Sequence, residues 1–152
     1  MIMNIGDKIP EILGIDAEGK EVRASEYAGK KVIIYFYPKD NTPGCTAEAC
    51  SLRDGYGDLK AMGYEIIGVS KDSSASHAKF AAKHSLPFRL IADTDTTLNQ
   101  AFGVWQLKKM CGRESMGTVR TTFIIDENGV VTDIIKKVDT KQSAKQIIDL
   151  KK

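Results

Sequence analysis

The pattern of apolar and polar positions alternates between strand-like runs and helical segments. Three continuous runs rich in β-branched and aromatic residues lie at 30–38, 64–70 and 88–93. Such runs are typical of strands buried on both faces of a sheet. Each run is followed by a helical segment, the first beginning near residue 43 and the others covering 73–85 and 94–103. Because strands that alternate with helices usually pair in parallel, this order predicts an α/β fold.

Turn signals near both ends of the chain predict further paired strands, and a last helix follows the second pair. Residues 11–25 place short apolar runs around a turn signal at 16–19, which predicts an N-terminal β-hairpin. Residues 121–137 predict two strands joined at Asn128-Gly129, and a last helix follows at about 140–150. We therefore expect a mixed central sheet with helices on both faces. The 152 residues, 1–152, are expected to form a single domain with its own core.

Composition and charge exclude several classes of partner. With 28% charged residues and a formal net charge of +2, the chain gives no reason to expect nucleic acid or an anionic membrane as partner. It contains no stretch of about 20 apolar residues and no signal-peptide pattern at its start, so we expect no membrane association and a cytoplasmic location. Three cysteines are an odd number, and a reducing compartment keeps thiols free unless they serve redox or metal chemistry.

Cys45 is predicted to lie in the first turn of a helix. Thr42 is a suitable N-cap and Pro43 suits the first helical position. Free N–H groups and the positive end of the helix dipole would stabilise a thiolate there. Cys50 lies about 140° further around the same helix, so the two thiols do not share a face. The position fits a nucleophile and leaves the role of the second thiol open.

The segment FYPKDNTPGCTAEAC resembles the peroxidatic motif of the peroxiredoxins. Its Pro-x-x-x-Thr-x-x-Cys pattern falls on Pro38, Thr42 and Cys45. The following Cys50 is similar to the PrxQ or bacterioferritin-comigratory-protein type. The likeness continues through GDKIPEI, GVSKDS, GVW and VRTTFIIDENG, over nearly the whole chain, and Arg120 matches the family's active-site arginine.

This resemblance implies a thioredoxin-like fold with an N-terminal β-hairpin extension and a thiol-dependent peroxidase activity. Cys45 would attack hydrogen peroxide or an organic hydroperoxide and become a sulfenic acid. Cys50 would resolve that acid as an intramolecular disulfide, and thioredoxin or a similar dithiol would reduce the disulfide. We expect no cofactor, no bound metal, and a monomer or weak homodimer.

The chemistry of peroxide reduction gives each motif residue a possible role. A thiolate that attacks a peroxide needs donors aimed at the oxygen on which negative charge grows. The Thr42 hydroxyl, the Cys45 N–H and the Arg120 guanidinium could supply them, and the Pro38 ring could shield the thiolate from water. Taken singly, each residue has another explanation. Thr42 could be only a helix cap, Arg120 a surface cation and Pro38 a strand terminator. Glu48, one turn beyond the cysteine, could hold the guanidinium through a bidentate pair, and a solvated glutamate is the alternative.

Other functions compete with the peroxidase. Zinc is disfavoured because no second closely spaced cysteine pair accompanies Cys45 and Cys50. His77 and His84 are expected to be exposed or half-buried on a helix. A general thiol–disulfide oxidoreductase on the same fold normally carries Cys-x-x-Cys, which is absent here, and a chaperone or binding module is the third possibility. Peroxide consumption distinguishes these functions.

Cys111 has no predicted role. It lies in KKMCGRESMG, where Gly112 and Gly117 indicate a loop. The thiol could be inert, a second resolving thiol, or a site of intermolecular crosslinking. Trp105, the only tryptophan, is predicted to be part of the core or a wall of the site.

Overall fold

The computed structural model describes residues 3–151. Within that range the strands are β1 (Ile12–Ile15), β2 (Glu21–Arg23), β3 (Lys31–Phe36), β4 (Tyr64–Ser70), β5 (Arg89–Ala92), β6 (Trp105–Met110), β7 (Arg113–Thr118), β8 (Thr121–Ile125) and β9 (Val131–Ile135). The helices are α1 (Pro43–Asp54), α2 (Tyr56–Ala61), α3 (Ser74–His84), α4 (Thr97–Ala101) and α5 (Ser143–Lys151), with a 3-10 turn at Ala24–Tyr27. No helix in the described range is long and apolar enough to cross a membrane.

A five-stranded mixed sheet forms the centre of the fold, in the order β5-β4-β3-β8-β9. β3 pairs in parallel with β4, and β4 with β5, as the alternation of strands and helices predicts. β8 lies antiparallel to β3, and β9 antiparallel to β8. β1 and β2 form the predicted N-terminal antiparallel hairpin. The predicted thioredoxin-like arrangement of a mixed sheet flanked by helices is confirmed.

β3 divides the core into two apolar clusters. Val32, Ile34 and Phe36 face the cluster that contains α4, and Ile33 and Tyr35 face the opposite one. This alternation confirms that the strand is buried on both faces. The second cluster is completed by buried residues from α1, α2, α3 and α5, namely Leu52, Leu59, Phe80 and Ile147.

The segment around Cys111, predicted as a loop, is instead a β-hairpin formed by β6 and β7. Cys111 and Gly112 have φ angles of 53° and 78°, so both occupy the left-handed region that a tight two-residue hairpin turn requires. Gly117 lies within β7, where a Cβ would be 2.9 Å from Cδ of Lys108. Gly112 therefore allows the tight turn, and Gly117 leaves room for the Lys108 side chain.

Candidate active site

Cys45 lies in the first turn of α1, as predicted. The helix begins at Pro43, and the Thr46 N–H donates to the Thr42 carbonyl at 2.8 Å. The N–H groups of Gly44 and Cys45 come earlier in the helix and therefore have no intrahelical acceptor. The thiol is enclosed, since the residue is only 1% exposed. A buried sulfur thus lies in the first turn, at the positive end of a helix.

Arg120, the residue before β8, places its guanidinium against this thiol, and β8 pairs with β3. Its Nη2 donates to Sγ of Cys45 at 3.2 Å, and its Nη1 donates to Oε1 of Glu48 at 2.6 Å. A Cβ on Gly44 would lie 3.3 Å from Nη2, so the absent side chain leaves room for the guanidinium. The structure therefore brings together Cys45, Arg120 and Glu48, which the sequence analysis had selected.

Glu48 is fully buried and contacts Arg120 through one oxygen. Its Oε2 has no hydrogen-bond partner among the residues described, so the pair is not the predicted bidentate one. Burial raises the pKa of Glu48 to about 7, against the opposing charge and hydrogen bond of Arg120. The pKa of Arg120 is itself raised, because Glu48 and Cys45 outweigh the effect of its burial. The glutamate therefore titrates near neutral pH.

Thr42 and Pro38 lie in the loop that connects β3 to this helix end. Thr42 occupies the N-cap position, but its side chain makes no capping bond. Its hydroxyl donates to the Lys39 carbonyl at 2.8 Å instead. Because a hydroxyl has one proton and two lone pairs, Thr42 Oγ1 in this conformation can accept rather than donate a hydrogen bond. Pro38, half-buried, precedes the lysine in the same loop.

A buried polar network holds this loop in place, and sequence reasoning did not foresee it. His77, predicted to be exposed or half-buried, is fully buried, so that prediction is wrong. Its Nδ1 lies 2.8 Å from Oδ2 of Asp40, and its Nε2 lies 2.9 Å from the Ile91 carbonyl oxygen. The Tyr37 hydroxyl donates to Asp40 at 2.7 Å, and the Asp40 N–H donates to Asp72 at 2.8 Å. These bonds connect the loop to the ends of β4 and β5.

The same cluster brings together possible metal ligands. Atoms of Asp40, Asp72 and His77 lie within 4.8 Å of one another. Both ring nitrogens of the histidine already face acceptors, and both carboxylates accept bonds from neighbouring hydroxyl or N–H groups. Burial acts to raise the pKa of Asp40, yet the hydrogen bonds from His77 and Tyr37 outweigh it and leave the pKa lowered. The arrangement fits a satisfied hydrogen-bond network better than a metal site.

Lys108 is a second cation near the thiol that sequence reasoning missed. Its ammonium donates to the Thr118 carbonyl at 2.6 Å, two residues before Arg120. Burial and the charge of Arg120 lower the pKa of Lys108, while Cys45 acts in the opposite direction. No motif marks this lysine, because it approaches the thiol only once β6 and β7 have paired.

The other two cysteines lie in different surroundings, and all three are free thiols. Cys50 is half-buried on α1, with its Sγ 3.8 Å from Nδ1 of His84. His84 is half-buried, as predicted. Cys111 is exposed at the turn of the β6–β7 hairpin. Trp105 is half-buried, and the Lys71 ammonium lies 5.6 Å from its ring centre.

Comparisons with known proteins identify the class. The model of the AhpC/TSA family matches residues 5–134. Peroxiredoxin Bcp of Bacillus subtilis is 46% identical over 141 residues, covering 93% of this chain and 90% of the relative. Peroxiredoxin Bcp of Escherichia coli K12 is 36% identical over 138 residues, covering 91% and 88%.

Solved structures agree with these relatives. A PrxQ mutant of Xylella fastidiosa superimposes with a TM-score of 0.89 at 30% identity, covering 99% of this chain and 96% of that one. A Xanthomonas campestris Peroxiredoxin Q mutant superimposes with a TM-score of 0.84 at 35% identity, covering 90% of this chain and 87% of that one. The fold and its neighbours define a peroxiredoxin, which is an enzyme of the thiol peroxidase class. The chain belongs to the AhpC/TSA family, and its relatives and structural neighbours are peroxiredoxins of the PrxQ/BCP type.

Proposed function

We propose that Cys45 is the peroxidatic nucleophile and that it reduces hydrogen peroxide and organic hydroperoxides. The observation that carries this proposal is the 3.2 Å contact between Nη2 of Arg120 and the Cys45 sulfur at the N-terminus of α1. A Xanthomonas campestris bacterioferritin comigratory protein of the same fold, solved with a trapped intermediate, is described by its alkyl peroxide reduction activity. That description supports organic hydroperoxides as substrates here.

In the first step the Cys45 thiolate attacks the terminal oxygen of R–O–O–H. A sulfur–oxygen bond forms, the O–O bond breaks, and the departing R–O⁻ takes a proton and leaves as an alcohol. Arg120 and the free N–H groups of Gly44 and Cys45 would stabilise the negative charge as it moves from sulfur to oxygen. Thr42 would accept a hydrogen bond from the peroxide proton and orient the attacked oxygen. Pro38 would limit water at the sulfur.

In the second step the Cys50 thiolate attacks the sulfur of the Cys45 sulfenic acid. An S–S bond forms, the S–O bond breaks, and the hydroxide leaves as water after taking a proton. A dithiol reductant then opens the disulfide by thiol exchange and becomes oxidised in turn. We propose thioredoxin as this reductant because the sequence resembles the PrxQ type.

A coupled assay tests the whole cycle. Purified protein with thioredoxin, thioredoxin reductase and NADPH should consume NADPH when hydrogen peroxide or an alkyl hydroperoxide is added. Cys45→Ser should abolish that consumption, because a serine hydroxyl is not ionised at neutral pH. Cys50→Ser should retain the first oxidation and stop recycling. Cys111→Ser is the matched control, since this thiol is exposed on a separate hairpin. Full turnover by Cys45→Ser would refute the proposed nucleophile.

A further inference from the structure

The thiol of Cys50 faces a histidine from a different helix. Its Sγ lies 3.8 Å from Nδ1 of His84, at the C-terminal end of α3. When the imidazole carries its proton on Nε2, Nδ1 has a free lone pair that accepts the S–H. Arg53, three residues further along α1, is a charged neighbour whose Nε pairs with Asp54 at 3.0 Å. The second thiol thus has a proton acceptor beside it, on a different helix.

The His84 ring is fixed in this orientation. Its edge packs on Phe80, with ring centres 5.1 Å apart, and Phe80 is fully buried. Its backbone carbonyl accepts a hydrogen bond from Nη1 of Arg53 at 2.9 Å. The helix ends immediately afterwards at Ser85, whose φ of 52° is left-handed. One contact on the ring and one on the backbone therefore hold His84 beside α1.

The part of α1 that follows Cys50 is anchored to the rest of the protein. Ser51 accepts a hydrogen bond from the Ala144 N–H at 3.3 Å, and Leu52 is fully buried. Gly55, at the end of the helix, packs so closely that a Cβ there would be 2.4 Å from Cβ of Ala144. For the cysteines to meet, the turn between them must unwind. If that turn moves Cys45 while the anchored part keeps its place, Cys50 stays beside His84 during the attack.

We propose that His84 is the general base of the resolving step. Its Nδ1 takes the thiol proton from Cys50, and the resulting thiolate attacks the Cys45 sulfenic sulfur. The S–S bond forms as the S–O bond breaks, and the imidazolium returns the proton to the departing hydroxide, which leaves as water. No further reactant is needed. This inference rests on the proposed function, because it assigns a base to the second step of that cycle.

The first experiment measures Cys50 without any peroxidase chemistry. In a Cys45→Ser, Cys111→Ser background, Cys50 is the only thiol, and its alkylation by iodoacetamide is followed against pH. His84→Phe keeps the ring on Phe80 but removes the acceptor. We expect alkylation at pH 7 to fall by roughly tenfold, because the thiol loses the group that accepts its proton. His84→Asn should behave likewise. Lys83→Ala, exposed on the same turn, should match the parent.

The second experiment follows resolution in the enzyme with Cys45 and Cys50 intact and Cys111 replaced by Ser. After one equivalent of peroxide, quenched samples analysed by mass give the rate at which sulfenic acid becomes disulfide. In His84→Phe this rate should fall at pH 7 and recover at pH 9, where solvent removes the thiol proton.

The two experiments separate the inference from the function on which it rests. Unchanged rates of alkylation and resolution in His84→Phe would overturn the assignment of His84 as the base and leave the proposed cycle intact. If peroxide gives no Cys45–Cys50 disulfide in the parent, the proposed cycle fails, and the base assignment fails with it. Slower alkylation in His84→Phe would then still report the contact between the two residues.

Discussion

Arg120 contacts Cys45 and Glu48 through different nitrogens of one guanidinium. Nη2 lies 3.2 Å from the sulfur, and Nη1 lies 2.6 Å from the carboxylate oxygen. Because the guanidinium is planar and rigid, the buried carboxylate fixes the direction from which the cation meets the sulfur. The guanidinium thus links the two contacts. Substitutions of Arg120, Glu48 and Lys108 are expected to have different effects.

Arg120→Lys should slow the oxidation of Cys45. A single ammonium keeps the charge but cannot contact the sulfur and the glutamate with the same fork. Loss of one charged hydrogen bond in the transition state corresponds to a roughly ten- to hundredfold lower second-order rate. Stopped-flow oxidation with excess peroxide measures it, with Arg113→Lys on the exposed hairpin as the control. Equal rates in the two variants would return Arg120 to a structural role.

Glu48→Gln should change how stability depends on pH. The pKa of Glu48 is raised from 4.5 to about 7, so the folded state favours the neutral carboxyl. Its contribution to stability is therefore fully present below about pH 4.5 and is lost as pH rises towards 7. Glutamine does not titrate, so between these values the variant should gain roughly 2 to 3 kcal/mol relative to the parent. Urea unfolding at several pH values measures this.

The control for Glu48 is Glu114→Gln, because Glu114 is exposed on β7. The difference between its free energy of unfolding and that of the parent should stay constant over the same pH range. Parallel curves for Glu48→Gln as well would show that the buried carboxyl does not titrate between these pH values.

Lys108→Met should also slow the oxidation of Cys45, by a smaller factor. The half-buried ammonium adds positive potential near the thiol without a described hydrogen bond to it, so a roughly two- to fivefold effect is expected. Lys108→Arg should retain most of the rate. Lys109→Met is the matched control, because Lys109 is exposed and pairs with Glu114 at 3.5 Å. Identical rates for the two methionine variants would show that Lys108 does not contribute to the oxidation of Cys45.

Local signals predicted most of the elements and the position of Cys45. The β-branched run of β3 and the Thr42-Pro43 pair are read directly from neighbouring residues. Both elements lie where predicted, although the Thr42 side chain makes no capping bond. The burial of His77 and the contacts that were not foreseen are long-range. His77 is buried through Asp40, 37 residues earlier, and Cys50 meets His84, 34 residues later. Such pairs form only when the sheet brings loop and helix ends together, so spacing along the chain does not reveal them.

The hairpin at 105–118 was missed for a related reason. Its strands are rich in exposed polar residues and contain Gly117, so neither composition nor alternation distinguishes them from a loop. The turn at Cys111 places a cysteine at a φ of 53°, where glycine or asparagine is usual. Without this hairpin, Lys108 could not be placed near Cys45.

The disulfide between Cys45 and Cys50 is incompatible with an intact α1. Residues five apart in an α-helix have Cα atoms roughly 8 to 9 Å apart, while a disulfide needs about 4.4 to 6.8 Å. The described helix is continuous from Pro43 to Asp54 and includes both residues. Formation of this disulfide would therefore break backbone hydrogen bonds between them.

Amide exchange in the two redox states should show which half of the helix opens. Since Ser51 and Leu52 are anchored to the rest of the protein, we expect oxidised protein to lose protection over 43–49 and keep it over 50–54. Peptide mapping without reductant should find the Cys45–Cys50 bond in the same sample. Peroxide-treated Cys50→Ser, which cannot form this bond, is the control and should keep protection throughout. A Cys45–Cys50 bond with protection unchanged over 43–49, or lost mainly over 50–54, would contradict the expected movement of Cys45 towards Cys50.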